Sequence, residues 1–264
     1  MRIYMLTDLE GVAGVVSFEQ QSYANAKYLD PARRLLTGEV NAAAEGLFAA
    51  GATEILVLDG HGVGGICFED LHPDVTLCHG AGHVLPTFTK QMLGSYDAAV
   101  MIGQHAMAGV RTGNQNHTQS SQSIDYYKLN GKPIGETAQF ALMCGHFGVP
   151  LIYFSGDKDG CEEAASLIKG LPTTAVKQGL ARGAQITMTA PAARAAIRRD
   201  AEAALKKHKQ SPLKPLVWDG PFVLEKRFFH TDTADAAARV KGVERVDSQT
   251  VRLRSDSIFD IIYA

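Results

Sequence analysis

Arg2-Ile3-Tyr4-Met5-Leu6-Thr7-Asp8-Leu9-Glu10 follows the initial Met1 and carries the first sign of the chain's architecture. The apolar run from Arg2 to Thr7 reads as a strand that enters the core at once. Two carboxylates follow it, separated by one residue, and then comes the loop Gly11-Val12-Ala13-Gly14. On a continuing strand, residues i and i+2 share a face. In open α/β sheets, ligands bind just beyond the carboxyl ends of strands. Carboxylates crowded together there repel unless a proton or a cation relieves them. A divalent metal is the simplest relief; the plainer alternative is an ordinary acidic strand-end turn.

Working outward, the same punctuation recurs. Residues 30–50 read as a helix, with Asp30 as N-cap and Pro31 at the first helical position. Gly51 is a natural stop. Glu54-Ile55-Leu56-Val57-Leu58 is a buried strand ending at Asp59-Gly60-His61, so strand, helix and strand form a parallel crossover unit. A further strand at residues 98–102 ends at Gly103-Gln104-His105, and a long polar loop occupies residues 106–122. Loops of that length in a compact domain are usually functional or disordered. Asn130-Gly131 lies between apolar runs at 124–129 and 132–134, a strong hairpin signal. Glu136 then heads a helix to about residue 147. A strand at 149–154 ends at Ser155-Gly156-Asp157, and residues 158–169 are helical.

Beyond residue 171 short strands at 173–177, 216–218, 222–226, 243–246 and 250–254 surround one long helix at 191–207. The expected class is α/β. A mainly parallel sheet with helices on both faces fills residues 1–170 as the metal-binding catalytic domain, and residues 171–264 form a smaller α+β domain.

The 264 residues are 45% hydrophobic and 20% charged, which is ordinary globular composition. A formal net charge of −2 gives no basic bias toward a nucleic acid. The basic group Lys206-Lys207-His208-Lys209 closes a helix, where cations favour the dipole. Cys67, Cys78, Cys144 and Cys161 form no C-x-x-C pair and read as reduced thiols. No apolar run reaches membrane-spanning length, and the N-terminus has no secretory pattern. The expectation is a cytoplasmic protein with no membrane or nucleic-acid partner.

Asp8 with Glu10, Asp59 with His61, and His105 therefore stand at strand ends, and Glu136 stands at a helix head. In a parallel sheet these ends converge on one edge. Carboxylate and imidazole without thiolate suit Zn, Mn, Co or Fe. The set exceeds what one catalytic ion needs, and a carboxylate-bridged pair of ions about 3.5–4 Å apart would use it all. Asp59 is expected to orient His61 or the turn rather than bind metal. His117, in the polar loop, is either solvated or a general acid or base near such ions. Asp157 and Asp159 end a further strand and read as helix caps or as support for ligand residues before ligands themselves. His72 precedes a proline in a turn, His146 stands at a helix end, His208 and His230 have no acidic or histidine companions in the sequence, and a glycine-rich loop accounts for His79 and His83.

Thr7-Asp8-Leu9-Glu10-Gly11, Asp59-Gly60-His61, Gly103-Gln104-His105-Ala106, Asn116-His117-Thr118, Pro133-Ile134-Gly135-Glu136 and Ser155-Gly156-Asp157 stand in the order and spacing of a known family. With Thr174-Ala175-Val176-Lys177-Gln178, the chain resembles the DppA-type D-aminopeptidases, peptidase family M55, over essentially its whole length. The departures are Gly60, where relatives carry Ser, and Asn116, where a small or hydroxyl residue is expected.

The resemblance implies a dinuclear zinc enzyme, with Mn or Co as other possible metals, that removes an N-terminal D-residue from short peptides. It implies that Asp8 bridges the ions, with Glu10 and His105 completing one site and His61 and Glu136 the other. Attack by a metal-bound hydroxide, assisted by His117, is the expected chemistry. The resemblance further implies a ring-like homo-oligomer. The rival readings are another metal hydrolase, such as an L-aminopeptidase, amidase or phosphoesterase, and a non-catalytic metal-stabilised assembly protein.

Overall fold

A computed structural model describes residues 1–80 and 86–264; His83 lies outside the described residues. In chain order the first elements are β1 (Arg2–Thr7), a short π-helical turn (Phe18–Ser22), α1 (Leu29–Ala49), β2 (Glu54–Asp59) and β3 (Thr76–Cys78). Then come α2 (Pro86–Leu93), β4 (Ala98–Gln104), β5 (Ile124–Leu129), β6 (Lys132–Ile134), α3 (Glu136–His146), β7 (Leu151–Asp157) and α4 (Lys158–Leu167). The remainder is β8 (Thr173–Ala181), β9 (Ala184–Thr187), α5 (Ala190–Gln210), β10 (Phe222–Phe228), α6 (Thr231–Ala237), β11 (Glu244–Arg245), β12 (Thr250–Ser255) and α7 (Ile258–Ile261).

The α/β architecture is the expected one. One sheet has the order β3-β2-β1-β4-β7-β8-β9, parallel except for the β8–β9 edge. β1 lies between β2 and β4, with Thr7 in register with Asp59 on one side and Ile102 on the other. The alternation of β1 divides the core: Ile3 and Met5 join one buried cluster and Tyr4 the other. The first cluster lies under α1 and α5, built from residues such as Leu36, Val40, Leu47, Ile197 and Leu205. The second brings Tyr4, Met101 and Phe154 together with Phe140 of α3 and with Leu129, Leu224 and Val251.

Those last three residues belong to a second sheet, β11-β12-β10-β5-β6, which is antiparallel throughout. The sheets do not divide at residue 170. The β5–β6 hairpin pairs with C-terminal β10, while β8 and β9 extend the parallel sheet. The hairpin at Asn130-Gly131 was legible because turn chemistry is local; its long-range partner was not.

Residues 216–218, expected as a strand, carry none. Pro212, Pro215 and Pro221 punctuate that stretch and remove ladder donors. Helix α1 begins at Leu29, so Asp30 lies inside the first turn and pairs with Arg33 at 3.1 Å rather than capping. Lys207 and Lys209 of α5 donate to carbonyls of Gly170 and Ala50, so the basic end ties down neighbouring turns. The four cysteines are free. No helix among the described residues is long and apolar enough to cross a membrane.

Candidate metal centre

The parallel register delivers the strand ends to one edge. Asp8 N donates to Ile102 O at 2.9 Å, and Gly11 N donates to Gly103 O at 2.7 Å, so the chain after β1 runs against the end of β4. That approach requires glycine. A Cβ on Gly11 would collide with the Gln104 carbonyl, and Gly103, at φ +75°, abuts the Asp8 carbonyl.

The carboxylate of Asp8 is buried and faces two ways. Oδ1 lies 3.2 Å from His61 Nδ1, and Oδ2 lies 3.0 Å from His105 Nε2. Around Oδ1, Glu10 Oε2 is also 3.2 Å from His61 Nδ1. On the other side, Glu136 Oε1 is 3.5 Å from His105 Nε2 and 3.8 Å from His117 Nε2. Two compact donor groups result: Asp8, Glu10 and His61, and His105, His117 and Glu136.

The candidate ligands expected from the sequence thus lie close together, but they group differently from the pairing the family resemblance implied. Glu10 accompanies His61, and Glu136 accompanies His105. The Glu10 side chain reaches His61, two residues beyond β2, whereas His105 follows β4 directly and faces Glu136, the first residue of α3.

Each histidine is oriented by its other nitrogen. His61 Nε2 donates to Ser22 O at 2.8 Å, His105 Nδ1 to Ala106 O at 2.8 Å, and His117 Nδ1 to Gln115 O at 2.9 Å. Such a backbone bond fixes the tautomer and aims the free nitrogen inward, as in metal sites. Glu10 Oε2 and His105 Nε2 are buried, and although they face His61 and Asp8 they are not aligned with them, or with any other group, as hydrogen bonds. Buried polar atoms are normally satisfied. Oxygen and imidazole donors converging on one space fit divalent cations such as zinc.

The electrostatics agree. Burial pushes the Asp8 carboxyl up, but His105 and His61 outweigh it and hold the group well below its usual range. Burial likewise disfavours charge on His61 and His105; Glu10 and Asp8 overcome it for the first, Glu136 and Asp8 for the second, and both rise. His117 goes the other way. Burial, reinforced by His105, lowers it, so its ring stays neutral and able to accept a proton.

The long loop between β4 and β5 carries His117 against the site rather than leaving it in solvent. The His117 ring stacks on His105 with centroids 3.9 Å apart and meets the Phe18 ring edge-on at 5.3 Å. Gln115 and Gln119, two residues to either side, adopt positive φ of 51° and 65°. Such strain persists where the surroundings over-determine it. Gln119 N donates to Glu136 Oε1 at 2.7 Å, and Gln115 Nε2 donates to Ser22 Oγ at 2.9 Å.

The supporting residues were largely missed in the sequence. Lys177, buried on β8, donates to Glu10 O, to Val15 O at 2.8 Å and to Asn114 Oδ1 at 2.8 Å. It joins the Glu10 segment to the His117 loop, and burial pushes its ammonium down to about 8. Glu39 of α1 accepts from Ala13 N at 2.9 Å, and burial pushes its carboxyl up to about 7. The glycine-containing segment after β1 is therefore pinned on both sides. Glu39 left one signal: it sits seven residues after Ala32, on the stripe with Leu36, Val40 and Ala43 that faces the core.

Asp59 accepts from Gly65 N and Ile66 N, so it holds the turn, and Asp157 caps α4 through Asp159 N at 2.9 Å. His72 Nδ1 accepts from Asp74 N, His79 lies 3.7 Å from Asp59, and His146 stacks on Phe259.

The chain is similar to known proteins over its whole length. The family model described as D-aminopeptidase, peptidase M55, matches residues 1–264. A D-aminopeptidase of Bacillus subtilis (strain 168) is 29% identical over 268 residues, covering 100% of this chain and 95% of that protein. A solved structure, described as the Zn-dependent D-aminopeptidase DppA from Bacillus subtilis, a self-compartmentalizing protease, superposes with a TM-score of 0.89. It is 26% identical, and the match covers 100% of this chain and 94% of that one.

Proposed function

This chain belongs to the peptidase M55 family of D-aminopeptidases, and we propose that it acts as a dinuclear enzyme whose two ions share Asp8. It is a zinc aminopeptidase, a metal-dependent hydrolase of peptide bonds. One observation carries the two-ion reading: each oxygen of a single buried carboxylate faces a different histidine, at 3.2 and 3.0 Å. Glu10 and His61 would hold one ion with Asp8, and His105 and Glu136 the other. When bound, the ions would lower the pKa of a water and polarise the scissile carbonyl.

The protein's own groups do the rest. His117 is neutral and its Nδ1–H is committed to Gln115 O, so Nε2 is the atom that takes a proton and returns it to the leaving amine. Its stacking on His105 fixes that nitrogen beside Glu136, so the proton carrier needs no search. Lys177 keeps the Glu10 segment and the His117 loop in one register.

The preferred substrate is a short peptide with an N-terminal D-residue, as the names of the relatives suggest. A homo-oligomeric assembly is carried over in the same way from the self-compartmentalizing neighbour. A hydrolysis panel of matched D- and L-aminoacyl peptides, amides and esters, with Zn, Mn and Co, tests the reading. Release of the N-terminal D-residue in the zinc enzyme is expected. Failure to cleave any of them at full metal loading would end it.

A further inference from the structure

Beside His117 an opening of about 240 Å³ leads to solvent, lined among others by Asn116, Ser121, Asp125, Arg182 and Phe229. That lies below the roughly 300–1,000 Å³ of drug-sized ligand sites, so it suits a small ligand. Its two charged side chains are not equivalent. Asp125 is engaged by Arg227 at 3.1 Å. Arg182 forms no ion pair among the described residues; its guanidinium donates from Nη2 to Ser121 O at 3.3 Å and lies over the Phe18 ring at 4.7 Å.

Arg182 is exposed, but its backbone is anchored. It stands in the turn between β8 and β9, and its carbonyl accepts from Gln115 N at 2.8 Å and Asn114 Nδ2 at 2.9 Å. Gln115 is the residue whose carbonyl orients His117. Phe18 touches both the guanidinium and the His117 ring. The cation is thus tied through backbone and ring contacts to the histidine beside the candidate metals.

We propose that Arg182 receives the free C-terminal carboxylate of a short peptide substrate. The proposal rests on the aminopeptidase reading above and adds to it a selection by chain length. A planar guanidinium pairs a carboxylate through two parallel hydrogen bonds, and its stacking on Phe18 orients the fork beforehand. A peptide ending close to the scissile bond places its carboxylate in this opening. A longer or amidated peptide places a neutral group there and gains nothing from the charge.

The test compares D-alanylglycine with D-alanylglycinamide on metal-loaded wild type, Arg182→Gln and Arg182→Lys, with metal content and Tm confirming intact protein. Wild type should favour the acid. Arg182→Gln should raise KM for the acid by about 10- to 100-fold and leave kcat/KM for the amide within about threefold, with Lys restoring part of the preference. Equal handling of acid and amide by wild type, or an equal loss on both in Arg182→Gln, would overturn the proposal. Calorimetric binding of both compounds separates the two levels. If neither is hydrolysed, the aminopeptidase reading fails, while tighter binding of the acid that vanishes in Arg182→Gln still upholds the carboxylate site. Equal binding of the two in wild type sinks it.

Discussion

The two donor groups of the centre are built by different means. Asp8, Glu10 and His61 follow adjacent parallel strands held in register, Thr7 opposite Asp59. His105 continues β4, but its companions come from a long loop and from the first residue of α3, after a hairpin that belongs to the other sheet. The first group is set by sheet geometry. The second depends on tertiary ties: Gln119 N on Glu136, the two positive-φ glutamines, and Lys177 behind the loop. A strand-built group thereby stands beside one whose proposed proton carrier, His117, sits on a loop, and the Asp8 carboxylate faces both.

Removing the shared residue should erase the distinction. Asp8→Ala is expected to empty both groups and to lower turnover more than any other single change, beyond the roughly 10²–10⁴-fold of losing a general acid or base. Metal analysis checks it. Retention of two equivalents would show that Asp8 does not bridge.

Removing one histidine from each group should expose the distinction instead. His61→Ala is expected to lose one equivalent of metal, and His105→Ala the other. Retained ligand geometry around the remaining ion, read by X-ray absorption, would tell the two apart. If both variants lose the same ion, the grouping found here is wrong.

Within the loop-built group, His117→Ala should separate catalysis from binding. Metal content is expected to stay near wild type, while kcat falls about 10²–10⁴-fold. Unchanged peptidase activity would remove His117 from the mechanism, and metal loss would make it a ligand.

The smallest effect concerns the support beneath the strand-built group. Glu39 is 2% exposed, and its folded pKa stands at about 7 against 4.5 in the unfolded chain. The folded state therefore binds that proton more tightly, so this group makes stability fall as pH rises from about 4.5 through about 7. Glu39→Gln keeps an acceptor for Ala13 N and should remove that fall. Relative to wild type it should gain up to ~3 kcal/mol above pH 7 and little near pH 4. Tm against pH at constant zinc measures it, and parallel curves for the two proteins would show that Glu39 carries no such cost.

The same contrast marks what could be read in the sequence. Asp8, Glu10, His61 and His105 were visible because each follows an apolar strand, and parallel strands end together. Glu136 was visible because a hairpin signal precedes it. Which carboxylate meets which histidine was not visible, since that depends on the course of the chain beyond each strand end. Lys177 and Arg182 were hidden for a related reason. Nothing local to β8 shows that its lysine ends against the Glu10 carbonyl, 167 residues away in the chain. The second sheet was similarly obscured, because β5 and β10, which pair antiparallel, lie far apart in sequence.

Two ions on either side of the Asp8 carboxylate are the feature on which the proposed chemistry depends. Anomalous diffraction at the zinc edge from crystals of the zinc-loaded enzyme tests it most directly. Two peaks about 3.5–4 Å apart are expected, one beside Glu10 and His61, the other beside His105 and Glu136, with one Asp8 oxygen on each. A single peak, or two peaks that do not share Asp8, would contradict it.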